Sequence, residues 1–154
     1  MPRITSPSRF STAAVLMAGL LASATAWADG SPVGLWKSID DASGKPKALI
    51  RITESNGELS GKIEKLFRAP DEDQNPLCQK CEGERKDQPV IGMTILSGLK
   101  KDGEEYNGGQ ILDPANGKVY KSKLTVVDDG QKLNVRGYIG MPMLGRTQTW
   151  LREQ

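Results

Sequence analysis

The chain of 154 residues contains no histidine. Without an imidazole there is no Ser-His-Asp or Cys-His nucleophile, no HExxH zinc site, no c-type haem attachment and no His-carboxylate iron centre. There is no G-x-x-x-x-G-K-S/T phosphate loop and no GxGxxG turn. With only two cysteines, the donors for a closed zinc site are missing as well. Beyond the first 28 residues no apolar run approaches the roughly 20 residues needed to cross a bilayer.

What is present begins with an export signal. Arg3 and Arg9 form a basic start, and Ala13–Ala26 is an apolar stretch too short to span a membrane. Ala26-Trp27-Ala28 has the A-x-A form that signal peptidase cuts. Residues 1–28 are therefore read as a signal peptide, and residues 29–154 as one domain working in the periplasm or secreted. Arg3 and Arg9 are the leader's two basic residues, so 19 of the 21 remain against 19 acidic ones. A net charge of zero gives no support for nucleic-acid binding or for a general attraction to anionic membranes.

Every segment after the leader reads as strand and turn. Runs rich in Val, Ile, Leu, Thr and Tyr alternate with Gly, Asp and Asn clusters. The spacing predicts strands over Val33–Ile39, Lys47–Glu54, Glu58–Phe67, Val90–Leu99, Glu105–Leu112, Lys118–Val127, Lys132–Ile139 and Thr147–Arg152. Asn56-Gly57 is a strong hairpin signal. Leu133, Val135, Gly137 and Ile139 fall on one face of their strand, with Arg136 and Tyr138 on the other. The expected fold is all-β: about eight antiparallel strands in an up-and-down barrel, interrupted by one long polar loop at Arg68–Gln88.

Gly34-x-Trp36 opens the first strand, and the last strand returns an arginine, Arg146 or Arg152, beside it. This arrangement resembles the lipocalin superfamily, where a GxW tryptophan closes the barrel base under an arginine. A second resemblance covers residues 33–152. It rests on Gly34-Leu35-Trp36, Cys78-Gln79-Lys80-Cys81-x-Gly83, Pro89-Val90-Ile91-Gly92-Met93 and Gly108-Gly109-x-Ile111-Leu112-Asp113-Pro114. Gly117-Lys118-x-Tyr120, Val135-Arg136-Gly137-Tyr138-Ile139-Gly140 and Gly145-Arg146-Thr147-Gln148-Thr149-Trp150 complete it. These residues are similar to the bacterial family called domain of unknown function 2147. The resemblance implies a calycin-like barrel and an envelope location; Gly34, Trp36, Arg146 and Trp150 are read separately as structural. It carries no catalytic residues.

Cys78 and Cys81 are expected to form a disulfide that staples the long loop. Asp71, Asp73, Asn75 and Glu82 follow the register of a calcium loop, but Pro76 stands where that loop needs glycine. A solvated acidic loop is the better reading. Met141 and Met143, with Met93, are read as apolar filler for one barrel end rather than a copper(I) site. Tyr120, Arg136 and Tyr138 are the candidate ligand-binding residues if they point inward; outward is the better expectation. No cofactor is indicated; carboxylate-only catalysis and a redox role for the Cys78–Cys81 pair stay open as alternatives. The leading reading is a non-enzymatic barrel binding a small apolar or amphipathic molecule. The alternative is an envelope interaction module acting through Arg68–Gln88.

Overall fold

The computed structural model describes residues 30–154. The signal-peptide reading of residues 1–28, and the cut before Asp29, lie outside the described residues. Eight strands are ordered as β1 (Gly34–Ile39), β2 (Pro46–Ser55), β3 (Glu58–Leu66), β4 (Thr94–Asp102), β5 (Glu105–Asp113), β6 (Lys118–Val127), β7 (Lys132–Tyr138) and β8 (Arg146–Arg152). Each pairs antiparallel with its neighbour, and β8 returns to β1 to close the barrel. The closing seam is short, with Trp36 opposite Arg152 and Lys37 opposite Leu151, and it joins the two strands that would otherwise be sheet edges.

Two-residue alternation selects the interior. Ile50 and Ile52 of β2, Leu59 and Ile63 of β3, Leu124 of β6, Leu133 and Val135 of β7 and Trp150 of β8 are all buried. Their neighbours face water, as in the exposed Arg51–Glu64 ion pair at 2.8 Å. Asn56 and Gly57 both have positive φ, 52° and 75°, which matches the tight turn between β2 and β3.

The connections sort to two ends. The turns after β2, β4 and β6, together with both ends of the described chain, lie at one end. The β1–β2 turn, the long β3–β4 connection, the β5–β6 hairpin and the β7–β8 connection lie at the other. The first end is packed solid: Trp36, Ile52, Leu59, Leu99, Leu124 and Leu133 are each 0% exposed. Trp36 Nε1 donates to Pro32 O at 2.7 Å. Gly34 has φ +140°, and a Cβ there would lie 2.7 Å from Gln154 O and 2.8 Å from an Arg152 nitrogen. Only glycine lets the C-terminal segment cross so closely.

Seven of the eight strands differ at a boundary from the sequence reading, most by one residue, and two of the differences bear on the site. β4 begins at Thr94 rather than Val90, because Met93 N bonds back to Val90 O and makes a turn first. β7 ends at Tyr138, so Ile139 leaves the inner face and is 66% exposed.

Candidate ligand-binding site

The upper half of the barrel is hollow. A cavity of about 390 Å³ opens at the end that carries the long loop. Small-molecule sites occupy roughly 300–1,000 Å³. Its wall is apolar: Ala48 and Ile50 from β2, Ile63 and Leu66 from β3, Ile95 from β4, Ile111 from β5, Val135 from β7 and Trp150 from β8. Gly137, also in the wall, leaves room that a side chain would fill.

The polar groups gather at the mouth. Lys47, Arg68 and Arg146 line it, with Asp113, Asn116, Tyr120 and Gln148. Arg146 reaches Asp41 at 2.6 Å, and Arg68 reaches Glu72 at 3.3 Å. Lys47 has no ion-pair partner among the described residues. Asp113 is turned to its own hairpin, accepting from Ala115 N at 2.9 Å. Nearby, Asp40 accepts hydrogen bonds from Ser43 N and Oγ, which hold its carboxyl below the ordinary value. The lining itself carries three cations, Lys47, Arg68 and Arg146, against one carboxylate, Asp113; Asp41 and Glu72 pair the two arginines from outside it.

The long loop is built rather than loose. Leu77 pairs with Pro89, Cys78 N donates to Gln88 O at 2.8 Å, and Val90 N donates to Pro76 O at 3.0 Å. Cys78 and Cys81 are disulfide-bonded and buried, at 0% and 2% exposure. This knuckle sits on the β5–β6 hairpin, where it covers Leu112. Gly117, at φ +73°, meets the Lys80 carbonyl so closely that any Cβ would overlap it.

Tyr120 faces inward, contrary to the outward expectation. It lies opposite Ile111 and two residues from the buried Ser122, so it shares the inner phase of β6, and Asn116 Nδ2 donates to its hydroxyl at 3.0 Å. Arg136 and Tyr138 belong to the outer phase. Arg136 is held by Pro142 O at 2.7 Å and Thr147 Oγ1 at 2.8 Å.

The arginine over Trp36 is Arg152, 4.2 Å from the ring centroid, not Arg146. Strand direction explains the correction: β8 starts at the open end with Arg146 and reaches the closed end only at Arg152. Arg152 also donates to Ser31 O at 2.7 Å and Val33 O at 3.0 Å. Its burial lowers its pKa from the ordinary arginine value. Gly34 and Trp36 sit at that closed end, and Trp150 is in the cavity wall.

The acidic register forms a local turn. Asp73 accepts from Asn75 N at 2.9 Å, and Gln74 bonds to Ala69 O and Glu72 O. Glu82 lies by the knuckle, in a depression with Cys81 and Arg85. No group of three His, Cys, Asp or Glu among the described residues is placed to hold a metal ion. Met93 is core, but Met141 and Met143 are 56% and 73% exposed and fill no barrel end. The 3-10 turn Pro142–Leu144 carries them outward.

Lys47, Arg68 and Gln148 were not singled out from sequence. For Gln148 the signal exists: Arg146, Gln148, Trp150 and Arg152 stand at two-residue spacing, so one buried tryptophan turns all four inward.

An antiparallel eight-stranded barrel, plugged at one end and hollow at the other, defines a small cavity-bearing barrel of lipocalin type. Residues 34–152 match the model of a family described as an uncharacterized protein conserved in bacteria, domain of unknown function 2147. The chain belongs to that family. Its fold is similar to that of protein HP1028 from Helicobacter pylori, which is described as belonging to the lipocalin family. The TM-score is 0.68 at 20% identity, over 80% of this chain and 84% of that one. Comparison with curated proteins gives no match. No helix among the described residues is long and apolar enough to cross a membrane.

Proposed function

We propose that this barrel binds a small amphipathic molecule carrying a negative charge, and that it does so outside the cytoplasmic membrane after its leader is removed. The observation that carries the reading is the polarity of the cavity: aliphatic walls and Trp150 inside, Lys47, Arg68 and Arg146 at the mouth. An apolar tail gains by leaving water for such a wall, and an anionic head is favoured by guanidinium and ammonium groups at the rim. The volume limits size. Taking about 30 Å³ per water-sized group, the cavity holds roughly a dozen non-hydrogen atoms. A straight-chain carboxylate such as decanoate matches both limits.

Isothermal titration calorimetry with decanoate tests this. The expected result is saturable one-to-one binding that weakens with added salt and with Lys47→Glu. Decyltrimethylammonium, with the same tail and the opposite charge, binds far more weakly. Absence of decanoate binding, or equal binding of the two amphiphiles, contradicts the proposal.

A further inference from the structure

The β7–β8 connection is apolar and bare. Ile139, Met141, Met143 and Leu144 are 66%, 56%, 73% and 74% exposed. They make up half of the eight large apolar side chains exposed among the described residues and include the three most exposed. A concentration of this kind marks an interaction site rather than ordinary surface scatter.

The loop is also held in shape. Leu144 N donates to Met141 O at 3.0 Å, Gly145 N to Pro142 O at 3.2 Å, and Arg136 Nε to Pro142 O at 2.7 Å. Pro142 brings no N–H of its own. Several of the backbone polar groups that oppose entry into hydrocarbon are thus already occupied.

Positive charge fringes the loop. Arg136 lies at its base, Lys121 stands opposite Tyr138, and Lys118 and Arg85 share a shallow depression with Ile139. None of these four has an ion-pair partner among the described residues. The one acid in the depression is Glu82.

We infer that Ile139–Leu144 is a docking tip that seats the open end of the barrel on a bilayer containing anionic lipid. A protruding apolar tip ringed by unpaired cations complements a surface of phosphate headgroups over hydrocarbon. The overall neutrality of residues 29–154 does not oppose this, because salt confines such attraction to about 10 Å. Gly137 and Arg146, which flank the loop, both line the cavity, Gly137 in its wall and Arg146 at its mouth. Docking therefore brings the mouth to the lipid surface. The inference stands on the loop alone and not on what fills the cavity.

Vesicle flotation tests it, using the protein as purified. The parent chain is expected to float with vesicles of equal phosphatidylcholine and phosphatidylglycerol, and to be released by salt. Met143→Asp/Leu144→Asp is expected to lose flotation, and Lys121→Glu to reduce it. Both exposed side chains are free of core contacts, so an unchanged melting temperature confirms that the double variant is folded. Equal flotation of parent and double variant, or none by either, overturns the inference. A parent dimer in light scattering that the double variant dissociates, with no flotation, assigns the loop to a second copy and overturns it too.

Discussion

The Arg152 guanidinium lies 4.2 Å from the centre of the Trp36 ring while its nitrogens bond the carbonyls of Ser31 and Val33. One side chain thus ties the last strand, the first strand and the segment preceding it at the closed end of the barrel. Trp36→Ala is expected to cost about 3–5 kcal/mol, as truncation of buried aromatics does. Arg152→Ala is expected to cost about 2 kcal/mol, since it removes a stacked cation and strands partly buried carbonyls. Arg146→Ala, which breaks only an exposed pair with Asp41, is expected to stay within about 0.5 kcal/mol. Urea denaturation of the three variants checks the ranking. An Arg146 effect as large as that of Arg152 contradicts this division of roles.

Gly117 faces the Lys80 carbonyl where the disulfide knuckle meets the β5–β6 hairpin. Gly117→Ala is expected to destabilise by about 1–3 kcal/mol, through a Cβ placed both in a disfavoured backbone region and against a neighbouring peptide. Limited proteolysis within residues 76–90 should accelerate in step. Unchanged cleavage indicates that the knuckle is not docked as described.

The disulfide closes a very short loop, so its removal is expected to cost about 2 kcal/mol in the chain-entropy model. Cys78→Ser/Cys81→Ser should therefore remain folded, with a lowered melting temperature. Complete unfolding on reduction contradicts a purely local staple.

Ser122 is fully buried inside the barrel, and its hydroxyl has no hydrogen-bond partner among the described residues. Ser122→Ala is expected to be neutral or stabilising by up to about 1 kcal/mol, because it removes an orphan polar group. A large loss of stability, measured calorimetrically, points to a partner such as a buried water.

The chain has no histidine, the side chain whose charge ordinarily changes between pH 5 and 8, and both cysteines are bonded. Melting temperature is expected to be nearly flat across that range. Asp40 is held below 3.8 by its hydrogen bonds from Ser43. Its stabilising contribution is therefore fully present above the unfolded value and is lost as pH falls through the lower folded one. A step in stability near pH 6.5 contradicts this.

The barrel was legible because each strand buries one face. Alternation at Leu133 and Val135, the Asn56-Gly57 turn and the Gly34-x-Trp36 start all survive in the structure. The site was less legible because it depends on where strands end. Ile139 fits the inner phase of β7, yet the chain turns out after Tyr138. Tyr120 looks like a surface residue until its pairing with Ile111 fixes its phase. Lys47, Arg68 and Arg146 line one mouth only because closure brings distant strand ends round it.

Ligand binding is proposed for the cavity itself. Gly137 lies in its wall, and a Cβ there would meet Ile111 and Tyr120 at ordinary distances of 3.5 and 3.6 Å. Gly137→Leu should therefore fill the cavity without unfolding the barrel. The most direct measurement is tryptophan fluorescence during decanoate titration of parent and variant, because Trp150 lies in the same wall while Trp36 sits at the closed end. A saturable change in the parent, absent from a Gly137→Leu protein of similar melting temperature, is the expected result. A parent that does not respond, or a variant that responds equally, contradicts a ligand site inside the barrel.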